Sequence, residues 1–367
     1  MHEKRVLCIV DSMDTGGSET MLMKIYRQIV REHIYFDFVV LSHKKGFYDE
    51  EIVQLGGRLY DLSNIPSHHH PVGRLKAIYD FFVSHDYEYV LVPASHFYRS
   101  LYAFMAKLAG VQNVAIRSTN SSTCMGRFAD FVQRRLQFIT RGSSHIRFAP
   151  SKLAGDFLFG CNSDYYVLHN GIDIGKFSFK NDVRNSKRKQ LGIDDKTVVG
   201  HIGRFSEQKN HNFLIDIFFK FHEQNKKSVL LLVGDGELKR EIKEKVDFLG
   251  LSDYVIFLGM RKDISELYMS MDVLVFPSFY EGMPNVVIEA QATGLPCLVS
   301  DCITSECKVT SLVYFQSLKG NSKSWRDCMN QILSNNVVNR ESFADELKMN
   351  GYDITYVANF FIEKMRL

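Results

Sequence analysis

The sequence predicts an α/β fold class: two doubly wound parallel-sheet domains in series. Three observations predict it. Short apolar runs alternate with helical patterns, as parallel strands joined by crossovers require. That alternation runs twice, with a turn-rich seam between the two series. The length, 367 residues, corresponds to two domains at about 150 residues each. Either half is long enough to bury its own core.

Taken in order, residues 6–10 (VLCIV) read as a buried first strand, too short for a signal peptide. The turn Thr15-Gly16-Gly17-Ser18 leads into an amphipathic stretch over 19–32. Further strands are expected at 36–41, 89–92 and 114–116, with a turn at Pro93-Ala94-Ser95 and a helix over 101–109. The strand-like 165–168 runs into the turn-rich Asn170-Gly171. This places the seam near 167–173, with a first domain at 1–168 and a second at 169–352. After the polar stretch 180–189, strands follow at 198–202, 229–233, 255–258, 273–276 and 296–300, with a helix over 212–223. The tail, about 353–367, has helical periodicity; its own residues do not fix where it packs, and the first domain is the expected partner.

Composition narrows the function. Hydrophobic residues at 45% and charged residues at 24% exclude a disordered or collagenous chain. A formal charge of +3 gives no sign of a nucleic-acid partner. Seven cysteines without a CxxC pair read as reduced thiols of a cytosolic protein. No charge-free apolar stretch approaches about 18 residues, so no membrane span is expected. The triplet His68-His69-His70 precedes Pro71 and reads as a solvated loop, so no metal site is expected.

The most informative segment is 277–294, PSFYEGMPNVVIEAQATG. A strand ends at Phe276, Pro284 suits the first helical position and Gly294 the stop. The loop 280–283 therefore opens onto a helix N-terminus, whose N–H groups and partial positive charge suit a phosphate. Glu289 lies roughly 7.5 Å along that helix, within reach of a ribose. Glu281 lies in the loop itself. A second segment, Gly203-Arg204-Phe205-Ser206-Glu207-Gln208-Lys209-Asn210, follows the first strand of the second domain. Ligands gather at the carboxyl ends of parallel strands. Two cations there, Arg204 and Lys209, can hold a diphosphate and stabilise developing negative charge. The turn Gly234-Asp235-Gly236 lies at the same sheet end but lacks the third glycine of GxGxxG. Taken alone, either charged loop also reads as an ordinary solvated surface.

The pieces GRFSEQKN, LLLVGDGEL, FLGMRKDI and PSFYEGMPNVVIEAQATGLPCLVSD occur in that order. Together with TGGSE and VLHNGID, they resemble the retaining glycosyltransferases of the GT-B type, family 4, in its capsule and exopolysaccharide branch. The likeness is strong over about 167–301 and looser before. It implies two Rossmann-like domains facing across a cleft, an N-terminal acceptor domain and a C-terminal nucleotide-sugar domain. By that resemblance, Arg204, Lys209 and Glu281 serve the diphosphate and the donor sugar, with His96 facing that sugar. Glu281 and Glu289 match the E-x7-E motif, and Glu289 takes the ribose. Gly16, Gly17, Gly203, Gly234, Gly282, Met283, Asn285 and Val286 complete the donor contacts, and Gly259, Met260 and Arg261 meet the base. The implied donor is a UDP-sugar, used without metal or cofactor. The implied acceptor is a polyprenyl-diphosphate-linked glycan at the inner face of the cell membrane. Relatives often read His-Ser-His-Asn where this chain has Arg117-Ser118-Thr119-Asn120, which puts a histidine role there in doubt.

Between 113 and 152 the basic residues number seven against one acid, with Phe128, Phe131 and Phe138 interleaved. Arg117, Asn120, Arg127, Arg134 and Arg135 are therefore candidates for an acceptor or anionic membrane surface. The alternative is an ordinary helix with its phenylalanines turned inward. Two other functions fit parts of the pattern: a UDP-sugar epimerase of the same architecture, and a non-catalytic nucleotide-sugar binding module.

Overall fold

The computed structural model describes residues 3–14, 16–42, 45–63, 71–121, 127–335 and 339–367, with backbone alone at Pro71 and Arg127. The chain divides into two compact units, residues 1–171 with 351–367 and residues 172–350. Residues 169–171 and 351–352, expected in the second domain, thus fall in the first unit.

Each unit is built on one parallel sheet. In the first, the strands are β1 (Lys4–Val10), β2 (Ile34–Val40), β3 (Leu59–Asp61), β4 (Tyr89–Ala94), β5 (Asn113–Ser118), β6 (Ile146–Ala149) and β7 (Tyr166–Val167), in the order β3-β2-β1-β4-β5-β6-β7. Burial on both faces explains why β1 reads as an unbroken apolar run. One face is covered by the helix Gly17–Ile29 and by the tail helix Ile354–Met365. Phe361 of the tail sits edge-on to Phe36 at 5.8 Å, so chain that follows the second unit completes the core of the first. Asp353 caps that helix by accepting from the Thr355 and Tyr356 amides.

The expected turn at Pro93 is absent, because Pro93 and Ala94 continue β4 opposite Arg117 and Ser118. Proline is tolerated there because β1 pairs β4 only as far as Leu91, so no ladder hydrogen bond is lost on that side.

The second unit contains β8 (Thr197–Ile202), β9 (Ser228–Val233), β10 (Val255–Gly259), β11 (Val273–Phe276), β12 (Cys297–Ser300) and β13 (Val313–Gln316), in the order β10-β9-β8-β11-β12-β13. Phe218, Phe221, Trp325 and Met329 fill one face. The polar stretch at 180–189 belongs to a helix, Asn181–Leu191. Its Arg184 and Arg188 reach Asp272, and with Arg340 they donate to the Tyr268, Met269, Ser270 and Met271 carbonyls. Three of these carbonyls belong to the last turn of the helix Ile264–Ser270, whose end runs short of intrahelical donors, and Met271 is its C-cap.

Candidate active site

In the second sheet the chain leaves β8 towards β9 and β10 on one side, and β11 leads to β12 and β13 on the other. The carboxyl ends of β8 and β11 therefore flank a topological switch point, where open α/β sheets bind ligands. The loop 203–210 follows β8 and the loop 277–284 follows β11.

Hydrogen bonds from backbone and side chains hold these loops together. Phe279 N donates to Gln208 O at 2.9 Å, and Gln208 Nε2 donates to Tyr280 O at 2.8 Å. Asn210, in the left-handed region, donates from Nδ2 to Pro277 O at 3.2 Å. Lys209 and Glu281 consequently meet: Nζ to Oε1 is 2.5 Å, with the side chains 16% and 12% exposed. The Lys209 ammonium also lies over the Phe276 ring, 4.8 Å from its centroid.

The loops after β9 and β10 join the same end. Gly203 N donates to Val233 O and Gly234 N to Gly259 O, both at 2.9 Å. Gly234 has φ +135°, and a Cβ there would run into the Gly203 carbonyl. Only glycine permits so close an approach. Arg204 lies at the solvent edge, paired with Glu237 at 3.1 Å. Arg261 pairs with Asp263 at 2.6 Å, holding that carboxyl far below its ordinary range; Met260 beside it is exposed.

The helix Asn285–Ala292 starts at the far end of the Glu281 loop. Pro284 is its N-cap rather than its first residue, so the N–H groups of Asn285 and Val286 lie in the first turn. Gly282 and Met283 form the approach to it. Glu289 is on this helix, and buried Tyr268 donates from Oη to Glu289 Oε2 at 3.3 Å. The spacing places Arg204, Lys209, Glu281 and Glu289 at one sheet end, as the sequence suggested. Glu237 and Tyr268 were missed because each meets its partner across elements distant in the sequence, whereas Asp263 was missed although it lies two residues from Arg261.

Beneath the β8 loop lie two buried histidines. His201 Nδ1 donates to Val275 O at 2.9 Å, and His211 stacks on Phe205 at 4.2 Å. His201 Nε2 and both ring nitrogens of His211 have no hydrogen-bond partner among the described residues. Burial, with Lys209 nearby, pushes His211 down to about 4 and His201 well below its ordinary value.

The corresponding switch point of the first unit lies between β1 and β4. Gly16 caps the helix that Gly17 begins, and Asp11, just after β1, pairs with Arg99. His96 stands at the N-cap position of the helix Phe97–Leu108 without a side-chain capping bond, and burial lowers its pKa.

The basic stretch divides. Arg117 belongs to no surface: it is 3% exposed in β5, and its Nη2 donates to Asn170 Oδ1 at 2.5 Å. Burial lowers its pKa to about 10. Asn120 lies in the loop just beyond. Arg127 begins the helix Arg127–Arg135, on which Arg134 and Arg135 are exposed. Phe128, Phe131 and Phe138 are 80%, 53% and 60% exposed, so they do not pack inward. Arg135 lies over the Phe131 ring at 5.1 Å. Among the described residues no group of three or more His, Cys, Asp or Glu could hold a metal ion, and no helix is long and apolar enough to cross a membrane. His68–His70 lie outside the described residues.

Two parallel-sheet α/β units in series define the fold class, the GT-B architecture. The family model of the group 1 glycosyl transferases matches residues 196–335. EpsF of Bacillus subtilis (strain 168), a protein ascribed to the glycosyltransferases, is 33% identical over 362 residues, covering 96% of this chain and 93% of its own length. An Escherichia coli enzyme, UDP-Gal:alpha-D-GlcNAc-diphosphoundecaprenol alpha-1,3-galactosyltransferase, is 37% identical over 147 residues, 39% of this chain and 38% of its own. The crystal structure of Anabaena HepE with UDP and glucose shares the fold at a TM-score of 0.79 and 18% identity, covering 99% of this chain and all of that one. The chain belongs to the group 1 glycosyltransferase family, in keeping with its resemblance to family 4, and is a glycosyltransferase.

Proposed function

We propose that the protein is a retaining glycosyltransferase of polysaccharide biosynthesis that moves a sugar from a UDP-sugar to a lipid-linked surface-glycan acceptor. The observation that carries this reading is the meeting of Lys209 and Glu281 at the β8/β11 switch point, beside Arg204 and the helix bearing Glu289. The names of the Escherichia coli relative and of the HepE complex supply the donor class, and the former supplies the acceptor class.

Arg204, Lys209 and the first amides of the helix Asn285–Ala292 receive the diphosphate. Glu289, oriented by Tyr268, accepts from the ribose hydroxyls. The backbone of 259–261 meets the base, and Glu281 addresses the sugar. The roles of Gly16, Gly17 and His96 toward the donor belong to the same proposal. The acceptor hydroxyl attacks the anomeric carbon as its bond to the phosphate oxygen breaks. The acceptor proton passes to the leaving phosphate on the same face, so configuration is kept. The residues contribute positioning and charge stabilisation, and no metal is needed for these roles.

The exposed Phe128, Phe131 and Phe138 beside Arg134 and Arg135 suit the interface of an anionic membrane. The protein is thereby proposed to work in the cytoplasm, peripherally at the inner membrane face.

The test is a donor screen in EDTA, using UDP-glucose, UDP-galactose and UDP-N-acetylglucosamine with undecaprenyl-diphosphate-linked N-acetylglucosamine and undecaprenyl-diphosphate-linked glucose as acceptors. The expected result is transfer from one donor, with the anomeric configuration kept in the NMR spectrum of the product. An inverted product contradicts the mechanism, and transfer only from GDP- or ADP-sugars contradicts the donor.

A further inference from the structure

Each cation assigned to the donor already has a carboxylate partner on its own or a neighbouring loop. Lys209 holds Glu281, Arg204 holds Glu237 and Arg261 holds Asp263. The pairs differ in depth: Lys209 and Glu281 are 16% and 12% exposed, whereas Arg204 and Glu237 are 73% and 55% exposed. A phosphate oxygen and a carboxylate oxygen want the same place against a cation. Lys209 has little room to serve both. One side of its ammonium is covered by the Phe276 ring, 4.8 Å from the centroid, and another is held by Glu281.

We propose that Glu281 has two successive partners, Lys209 before the donor arrives and the hydroxyls of the donor sugar once the diphosphate has taken Lys209, with Glu237 acting as the matching counter-ion of Arg204. The proposal rests on the donor-site reading above and deepens it. The physical reason is the cost of stranding a charge. A mostly buried carboxylate that loses its cation stays unfavourable until other donors reach it. The donor sugar's hydroxyls supply such donors at Glu281, whereas the ribose hydroxyls of a bare nucleoside diphosphate are taken by Glu289. Glu281 would therefore penalise UDP relative to the whole UDP-sugar, discriminating substrate from product. Glu237, at the solvent edge, would only weaken diphosphate binding to a small extent.

The test is calorimetric titration of UDP, UDP-glucose, UDP-galactose and UDP-N-acetylglucosamine into the wild type, Glu281→Gln, Glu237→Gln and Lys209→Met. Glutamine keeps the shape and removes the charge. Glu281→Gln should bind UDP about tenfold tighter. It should also lose the preference for UDP-sugar over UDP, and with it turnover. Glu237→Gln should bind UDP about two- to fivefold tighter, as for an exposed pair. Weaker or unchanged UDP binding by folded Glu281→Gln overturns the exchange. If that variant does not fold, an unchanged UDP affinity in Glu237→Gln overturns it instead. Lys209→Met separates the two failures. Lost UDP binding there upholds the donor site whatever Glu281→Gln does, and wild-type binding there sinks both.

Discussion

Lys209 is placed by contacts from two loops: the 203–210 backbone that carries it, and the 277–284 segment bonded to it through Gln208 and Asn210. Its position therefore depends on Gln208, Asn210, Pro277, Phe279 and Tyr280 as well as on its own partner. In the proposed reaction, Lys209→Ala and Arg204→Ala should each lower kcat/KM by roughly 10²–10³-fold, the scale of one lost electrostatic donor at about 2.7–4 kcal/mol. Steady-state kinetics with the donor found in the screen measures this, and an unchanged kcat/KM in either variant contradicts its role. Tyr268→Phe removes only the hydroxyl that reaches Glu289 at 3.3 Å. It should raise the donor KM severalfold and leave kcat nearly intact, because the ribose contact is made in ground and transition states alike. The placement of Arg204, Lys209 and Glu281 at one sheet end was legible in the sequence because they sit in loops that follow strands, and that of Glu289 because Pro284 and Gly294 bracket its helix. Their partners Glu237 and Tyr268 were not, since β9 and the helix Ile264–Ser270 bring them in from elsewhere in the chain.

Among the elements, the loop after β8 rests on His201 and His211, whose rings meet at 4.6 Å. Both are held neutral by burial, with pKa values below the unfolded value of about 6.5. The unfolded chain therefore binds more protons in the window below that value. Stability linked to His211 is complete above about pH 6.5 and is lost as pH falls through about 4, by up to about 1.4 kcal/mol per pH unit, and His201 acts in the same direction. Urea melts at pH 7, 6 and 5 should show this decline, and His211→Phe should flatten it; equal slopes in both proteins contradict the assignment. The arginine cluster gives a second expectation. Arg340→Ala strips donors from buried carbonyls and should cost about 2–4 kcal/mol in the same melts. Elements with continuous apolar runs, such as β8, β9 and β11, could be read directly. Strands β3, β6 and β13 could not, since they are three or four residues long and each mixes partly buried or exposed positions with few or no fully buried ones. The helix Asn181–Leu191 escaped for the opposite reason. It is polar on every side, and it is anchored by charged groups whose partners lie about 80 residues further on.

At the scale of the molecule, the tail ties the end of the chain to the first sheet. Phe361 is fully buried against Phe36 and Phe148, so Phe361→Ala should destabilise the first unit by about 3–5 kcal/mol. Periodicity revealed this helix, but its packing depends on an apolar face offered by β1, β2 and the helix Gly17–Ile29, which no local pattern shows. The exposed phenylalanines lead to a separate expectation. Co-sedimentation with phosphatidylglycerol vesicles at low salt should fall by most of its value in Phe128→Ser/Phe131→Ser, and equal recovery with and without vesicles contradicts the membrane reading. The central claim, a nucleoside-diphosphate site at the β8/β11 switch point, has its most direct test in thermal stability with UDP, GDP, ADP or NAD, each in EDTA. A ligand at about 100 times its Kd stabilises by roughly 2.7 kcal/mol, a visible shift. UDP alone should raise the Tm of the wild type and leave Lys209→Ala and Glu289→Ala unmoved. A rise with NAD alone, or an undiminished rise with UDP in both variants, would contradict it.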